Sequence, residues 1–90
     1  MGRMLIQIKL MPTSPNVNLE EIKQKSQEII ERSQGKISGF REEPIAFGLK
    51  ALIASFSIDE KLEIDPIENQ LGNLENISSA QIIDMRRAFG

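Results

Sequence analysis

The chain contains no cysteine, histidine, tryptophan or tyrosine. Without cysteine there is no disulfide framework, no zinc–thiolate site and no thiol chemistry. Without histidine it lacks the commonest general base and the commonest transition-metal ligand, so hydrolase and metalloenzyme classes recede. Strong positive charge is missing too: 11 Lys+Arg stand against 13 Asp+Glu in 90 residues. A near-neutral chain has no bulk affinity for nucleic-acid backbones, which demands a clustered positive field. No apolar run approaches the roughly 20 residues of a membrane span. The Met-Gly start does not make an acylation signal, because Ile6 stands where Ser or Thr is required. The expectation is a cytoplasmic protein, complete as one domain over residues 1–90, with no membrane association and no direct nucleic-acid partner.

What is present has the periods of regular structure. In RMLIQIKL (3–10), Met4, Ile6, Ile8 and Leu10 alternate with Leu5, Gln7 and Lys9, the spacing of a half-buried strand. MPTSPN (11–16) is a loop by its prolines and small polar residues. Asn18 is placed to cap a helix, with Glu21 as capping-box partner and Val17 and Ile22 as a hydrophobic staple. Leu19, Ile22, Ser26, Ile29 and Ile30 form its apolar stripe, and Gly35 is its expected stop. From Lys36 to Ala46 the pattern is irregular: Ile37 and Phe40 do not alternate, and Pro44 suggests an edge strand or its end. From Leu49 a strand resumes with Leu52, Ala54, Phe56 and Ile58 on one face, and DEKLE (59–63) is a charged connection. Asp65 should cap a second helix, with Pro66 at its first position, Glu68 three residues on and Ile67, Leu71 and Leu74 as its stripe. Gly72 would weaken that helix from inside and Asn76 would take a left-handed turn. AQIIDM (80–85) reads as a short last strand, followed by Arg86-Arg87-Ala88-Phe89-Gly90.

The order β-α-β-β-α-β, with right-handed crossovers, implies an α+β, ferredoxin-like sandwich: four antiparallel strands, both helices on one face, the other face open. Within it, REEPIAFGLKAL (41–52) places an aromatic ring at a chain reversal. Phe47 either folds back onto the core, against Phe56, or stands out as an anchor for a partner's pocket. Gly48 lets the backbone reverse. Arg86 and Arg87 are either solvated or deliver a guanidinium to a phosphate or carboxylate, and Arg41 and Lys50 are candidates for the same face. The acidic run from Asp59 to Asp65 lacks calcium-loop spacing, and the scattered glycines form no phosphate-binding motif. No cofactor and no metal are expected. An RNA-recognition reading fails for want of stacking aromatics on the open face, since Phe56 falls on the core side. A small-molecule-binding regulatory domain, using the open sheet, needs no fixed signature and stays as an alternative. A ferredoxin-like phosphatase lacks its arginine-bearing phosphate loop.

PIAFGLKAL (44–52), IKLMP (8–12), the Asp65-Pro66 helix start and DMRRAFG (84–90) resemble archaeal translation elongation factor 1-beta along the whole chain, and more distantly the exchange domain of the eukaryotic beta and delta subunits. The resemblance implies a guanine-nucleotide exchange domain acting without covalent chemistry on elongation factor 1-alpha, whose GDP or GTP and magnesium belong to the partner. It also implies that Phe47 inserts into the GTPase, with Gly48 and Lys50 beside it. The cation approaching the magnesium and phosphate region would be Arg87, or Arg86 by one register. Arginine replaces the lysine of the eukaryotic pattern, Ala51 replaces its second lysine, and 59–64 lacks the glycines common in the archaeal family.

Overall fold

The computed structural model describes residues 2–88. Its elements run β1 (Arg3–Pro12), α1 (Leu19–Arg32), β2 (Lys36–Pro44), β3 (Lys50–Asp59), α2 (Asp65–Gly72) and β4 (Ile77–Ala88). All pairings are antiparallel, in the sheet order β2-β3-β1-β4, and both helices lie on one side: the ferredoxin-like sandwich. Ile6, Ile8 and Leu10 meet Phe56, Ala54 and Leu52 across the central pair, and Ile22, Ile29, Ile30, Ile67 and Leu71 close the core from above. No helix among the described residues is long and apolar enough to cross a membrane.

The irregular stretches are resolved by three bulges, one in β2 and two in β4, of which the one nearer the start of β4 skips Ser78 between Met11–Ser79 and Pro12–Ile77. In β2 the register slips between Ile37 and Gly39, so Ile37 opposes Phe56 while Phe40 opposes Ala54, and both join the core. One extra residue, Ser38, puts positions three apart on the same face. The other β4 slip falls at Ile83: Ile82 opposes Ile8 and Met85 opposes Ile6. The last strand is therefore the longest, 12 residues, and absorbs Arg86 and Arg87 rather than ending before them. Phe89 and Gly90 lie outside the described residues.

The caps partly differ from expectation. Asn18 accepts the backbone N–H groups of Glu20 (3.0 Å) and Glu21 (3.4 Å), but Glu21 extends its carboxylate to Lys25 instead of returning to the cap. The left-handed residue after α1 is Gln34 (φ 71°), not Gly35. The Gly35 N–H donates to the Ile30 carbonyl (2.8 Å) and the Gln34 N–H to Glu31 (3.0 Å), the paired bonds of a Schellman turn. Glycine is required at 35 for room: a Cβ there would sit 2.6 Å from Ile30 Cγ2. Asp65 makes no capping bond, since α2 starts on the Ile64 carbonyl. Glu68 is drawn away from the helix start to accept the Ile82 N–H (3.1 Å), covering part of the exposed β4 edge. Gly72 is the last residue of α2 and not interior, with Leu74 beyond it. Asn76 is left-handed (φ 71°) and leads into β4.

Candidate functional site

Phe47 sits at the tip of the β2–β3 hairpin. The turn Ala46-Phe47-Gly48-Leu49 has positive φ at both central residues, 63° and 77°, and the Leu49 N–H donates to the Ala46 carbonyl at 3.3 Å. That is the signature of the mirror-image turn that matches strand twist, a position dominated by Asn-Gly pairs. A left-handed conformation costs a bulky L-residue about 1–2 kcal/mol. The turn is closed below by the Ile45 N–H on the Leu49 carbonyl (2.7 Å). Gly48 packs toward the β1–α1 loop, where a Cβ would come within 4.0 Å of Pro15. The ring itself stands in solvent: Phe47 is 94% exposed, the most exposed of the large apolar residues described. Phe56, the core partner considered for it, is buried (1%) under the helices.

Lys50 lies at the foot of the same hairpin, beside a cleft of about 360 Å³ between it and the start of α1, lined by Pro15, Asn18, Glu42 and Gly48. Phe47, Gly48 and Lys50 are thus together. Arg41 does not share a face with Lys50: Arg41 opposes Ile53 on the open side, whereas Lys50 shares the pleat of Leu52 on the helix side.

The two arginines stand at the other end of the sheet. Arg86 lies in a row with Leu5 and Ser57, seven residues along β3 from Lys50, or about 23 Å at ~3.3 Å per residue. They also point apart. Arg86 shares the open face with Leu5 and makes a forked contact with Asp84, Nε to Oδ2 at 3.0 Å and Nη2 to Oδ1 at 3.4 Å. Arg87 opposes Met4 on the helix side, with its Nη2 at 3.1 Å from Glu60 Oε2. Asp84 is legible as a partner, because i and i+2 share a strand face. Glu60 is not, since its approach depends on the β3–α2 connection.

A trough of about 390 Å³ runs over the open face, lined by Leu5, Gln7, Ser38, Ser55, Asp84 and Arg86. Its floor is small and polar, and the Gln7 side-chain amide donates to Ser55 Oγ at 3.3 Å. Neither cleft is an enclosed apolar cavity of the kind that buries a small ligand.

A family model described as the EF-1 guanine nucleotide exchange domain matches residues 5–88. Elongation factor 1-beta of Methanocaldococcus jannaschii is 37% identical over 89 residues, covering 98% of this chain and 100% of that protein. The protein of the same name from Methanococcus maripaludis strain C6 is 36% identical over 86 residues, covering 94% of this chain and 97% of its own. Among solved structures, 30S ribosomal protein S6 from Thermotoga maritima superposes with a TM-score of 0.67 at 20% identity, covering 99% of this chain and 90% of that one. The C-terminal domain of the MgtC protein from Mycobacterium tuberculosis gives 0.64 at 8% identity, covering 98% and 88%. These last two likenesses are of fold alone.

Proposed function

The chain belongs to the EF-1 guanine nucleotide exchange domain family, and from that premise we propose that it promotes GDP release and GTP reloading on elongation factor 1-alpha in the cytoplasm. The observation that carries the reading is Phe47: an aromatic ring held in a costly left-handed turn and 94% exposed. Backbone strain of this sort persists where surrounding structure enforces it, and a rigid exposed ring is suited to fill a pocket on another protein.

The mechanism follows from linkage. A factor that binds the nucleotide-free GTPase more tightly than the loaded one must lower nucleotide affinity by the same ratio. Typical couplings of 1–3 kcal/mol correspond to roughly 5–150-fold, and exchange requires the upper end. Phe47 supplies docking energy by burying its ring, with Gly48 and Lys50 forming the rest of that contact. At the far end of the sheet an arginine, Arg87 by the family motif or Arg86, competes electrostatically with the partner's magnesium. Magnesium and phosphates stabilise each other, so loosening one loosens both. No bond is made or broken by this chain.

The test is release of a fluorescent GDP from the cognate GTPase. The parent accelerates it. Phe47→Ala, which removes no internal contact, folds normally and loses about 100-fold of the acceleration, the ~2.7 kcal/mol of a strong interface anchor. Undiminished acceleration by Phe47→Ala would remove the ring from the mechanism. A small-molecule regulatory domain would be favoured by a buried Phe47 together with a concave apolar pocket. The exposed ring and the open, polar clefts speak against it.

A further inference from the structure

We infer that Glu42 and Glu43 are positioning residues: each ties the end of β2 to the body of the fold on one face, and together they hold the hairpin so that Phe47 is presented in one place. The role rests on the exchange reading above. β2 is an edge strand, bonded to β3 alone, and Pro44 at its end offers no N–H. Backbone pairing by itself leaves such an arm free to rock about β3. Adjacent residues of a strand point to opposite faces, so Glu42 and Glu43 reach to both sides. On the helix side Glu42 Oε2 lies 3.9 Å from Lys23 Nζ of α1, and the same ammonium is held by Glu20 at 3.0 Å. On the open side Glu43 Oε1 lies 4.0 Å from Lys9 Nζ of β1. β1 is not a neighbour of β2, because β3 runs between them. The Lys9 and Glu43 side chains therefore arch over β3, across two strand spacings or about 10 Å.

Beneath the arch lies an apolar patch. Ala51 and Ile53 alternate with Leu52 and so face the open side, yet both are 0% exposed and stand apart from the cluster under the helices. Farther along the same face of β3, Ser55 and Ser57 are partly exposed. The burial is thus local to the hairpin end. There the register sets Lys9 and Arg41 beside Ile53 and Glu43 beside Ala51. Long charged side chains cover apolar surface with their stems while their heads stay in water or meet each other. Ala51 is small enough to fit below. An isolated surface pair contributes little, but Lys9 and Lys23 are largely covered, with 26% and 27% of their side chains exposed. Phe47 follows three residues after Pro44, beyond the Ile45–Leu49 bond that closes the turn. Whatever fixes the end of β2 fixes the ring, and a ring already in place loses less freedom on docking.

Two measurements on the full chain test this. The first is amide hydrogen exchange on the protein alone. In Glu42→Ala/Glu43→Ala the Ile45 and Leu49 N–H groups exchange at least threefold faster than in the parent, while those of Ile6 and Ile8 in β1 keep the parent rate. The second is fluorescent-GDP release from the GTPase. Glu42→Ala and Glu43→Ala each raise the half-saturating concentration about threefold, and the double variant about tenfold, the range of weak ion pairs. The maximal rate stays within twofold, because a loosened tip docks less well but acts alike once docked. In a Phe47→Ala background the same substitutions change the residual acceleration by less than 1.5-fold (roughly the error of such a cycle), since no ring is left to position. Direct contacts of the two carboxylates with the GTPase, or a general loss of stability, would act equally in both backgrounds. Unchanged Leu49 exchange, unchanged kinetics, a loss confined to maximal rate, or a loss undiminished by Phe47→Ala overturns the positioning role and leaves the exchange reading standing. Faster Leu49 exchange in the double variant with no acceleration by the parent keeps the brace on the hairpin and removes the exchange reading together with the role in it.

Discussion

Among the described residues, two turns place a non-glycine residue in the left-handed region immediately before a glycine: Gln34-Gly35 after α1 and Phe47-Gly48 at the hairpin. At the first, the backbone groups and the glycine are used. Two helical carbonyls receive N–H groups, and the space at Gly35 is filled by Ile30 and Phe56. At the second, the backbone bonds close the turn but the side chain covers nothing. The first glycine is there for packing, the second for conformation. The contrast separates a turn whose glycine is packed against the core from one whose aromatic ring stands in solvent.

Substitutions divide the two turns. The largest effect on stability is expected from Gly35→Ala, whose methyl has nowhere to go: 2.6 Å from Ile30 Cγ2 and 3.1 Å from the Ile30 carbonyl. Overpacking of this kind destabilises by about 2–3 kcal/mol, seen as a lower urea midpoint at unchanged slope. A neutral result would mean that α1 shifts freely on the sheet. Next comes Phe47→Gly, which removes the left-handed penalty and should raise stability by about 1 kcal/mol, or a melting temperature higher by roughly 4 °C, while exchange activity is lost. Stability falling instead would show that the ring does pack. The smallest change belongs to Gln34→Gly: a gain of about 0.5 kcal/mol from the relaxed C-terminal turn, with GDP-release kinetics unaltered. An effect of Gln34→Gly on exchange would place the end of α1 in the partner contact and blur the distinction.

Much of the architecture is legible in the residues. β1, β3 and α1 follow from uninterrupted periods of 2 and 3.6, and the Asn18 cap acts within three residues of itself. β2 and β4 resist the same reading because bulges, at Ser38 in β2 and at Ser78 and Ile83 in β4, each break the alternation and then restore it in the opposite phase. For that reason the last strand looks short and the arginines look like a tail. Glu68 has the spacing of a helix cap, yet an unpaired N–H of Ile82 on the neighbouring strand edge offers it a better bond. Of the candidate site, Phe47, Gly48 and Lys50 are neighbours in the chain and so necessarily neighbours in space. That Phe47 is bare could not be read, since an aromatic residue near a turn packs inward as readily as outward.

The sequence by itself determined the element order, the apolar faces of the central strands and the identity of the residues at the hairpin tip, because each depends on contacts within a few positions. Only the tertiary structure decided that Arg86 faces the open side and Arg87 the helix side at the far end of the sheet, and that Arg87 meets Glu60. The reason is physical: in a strand the face of a side chain is set by counting from a paired register, and one bulged residue between the last clear pair and the arginines reverses the count.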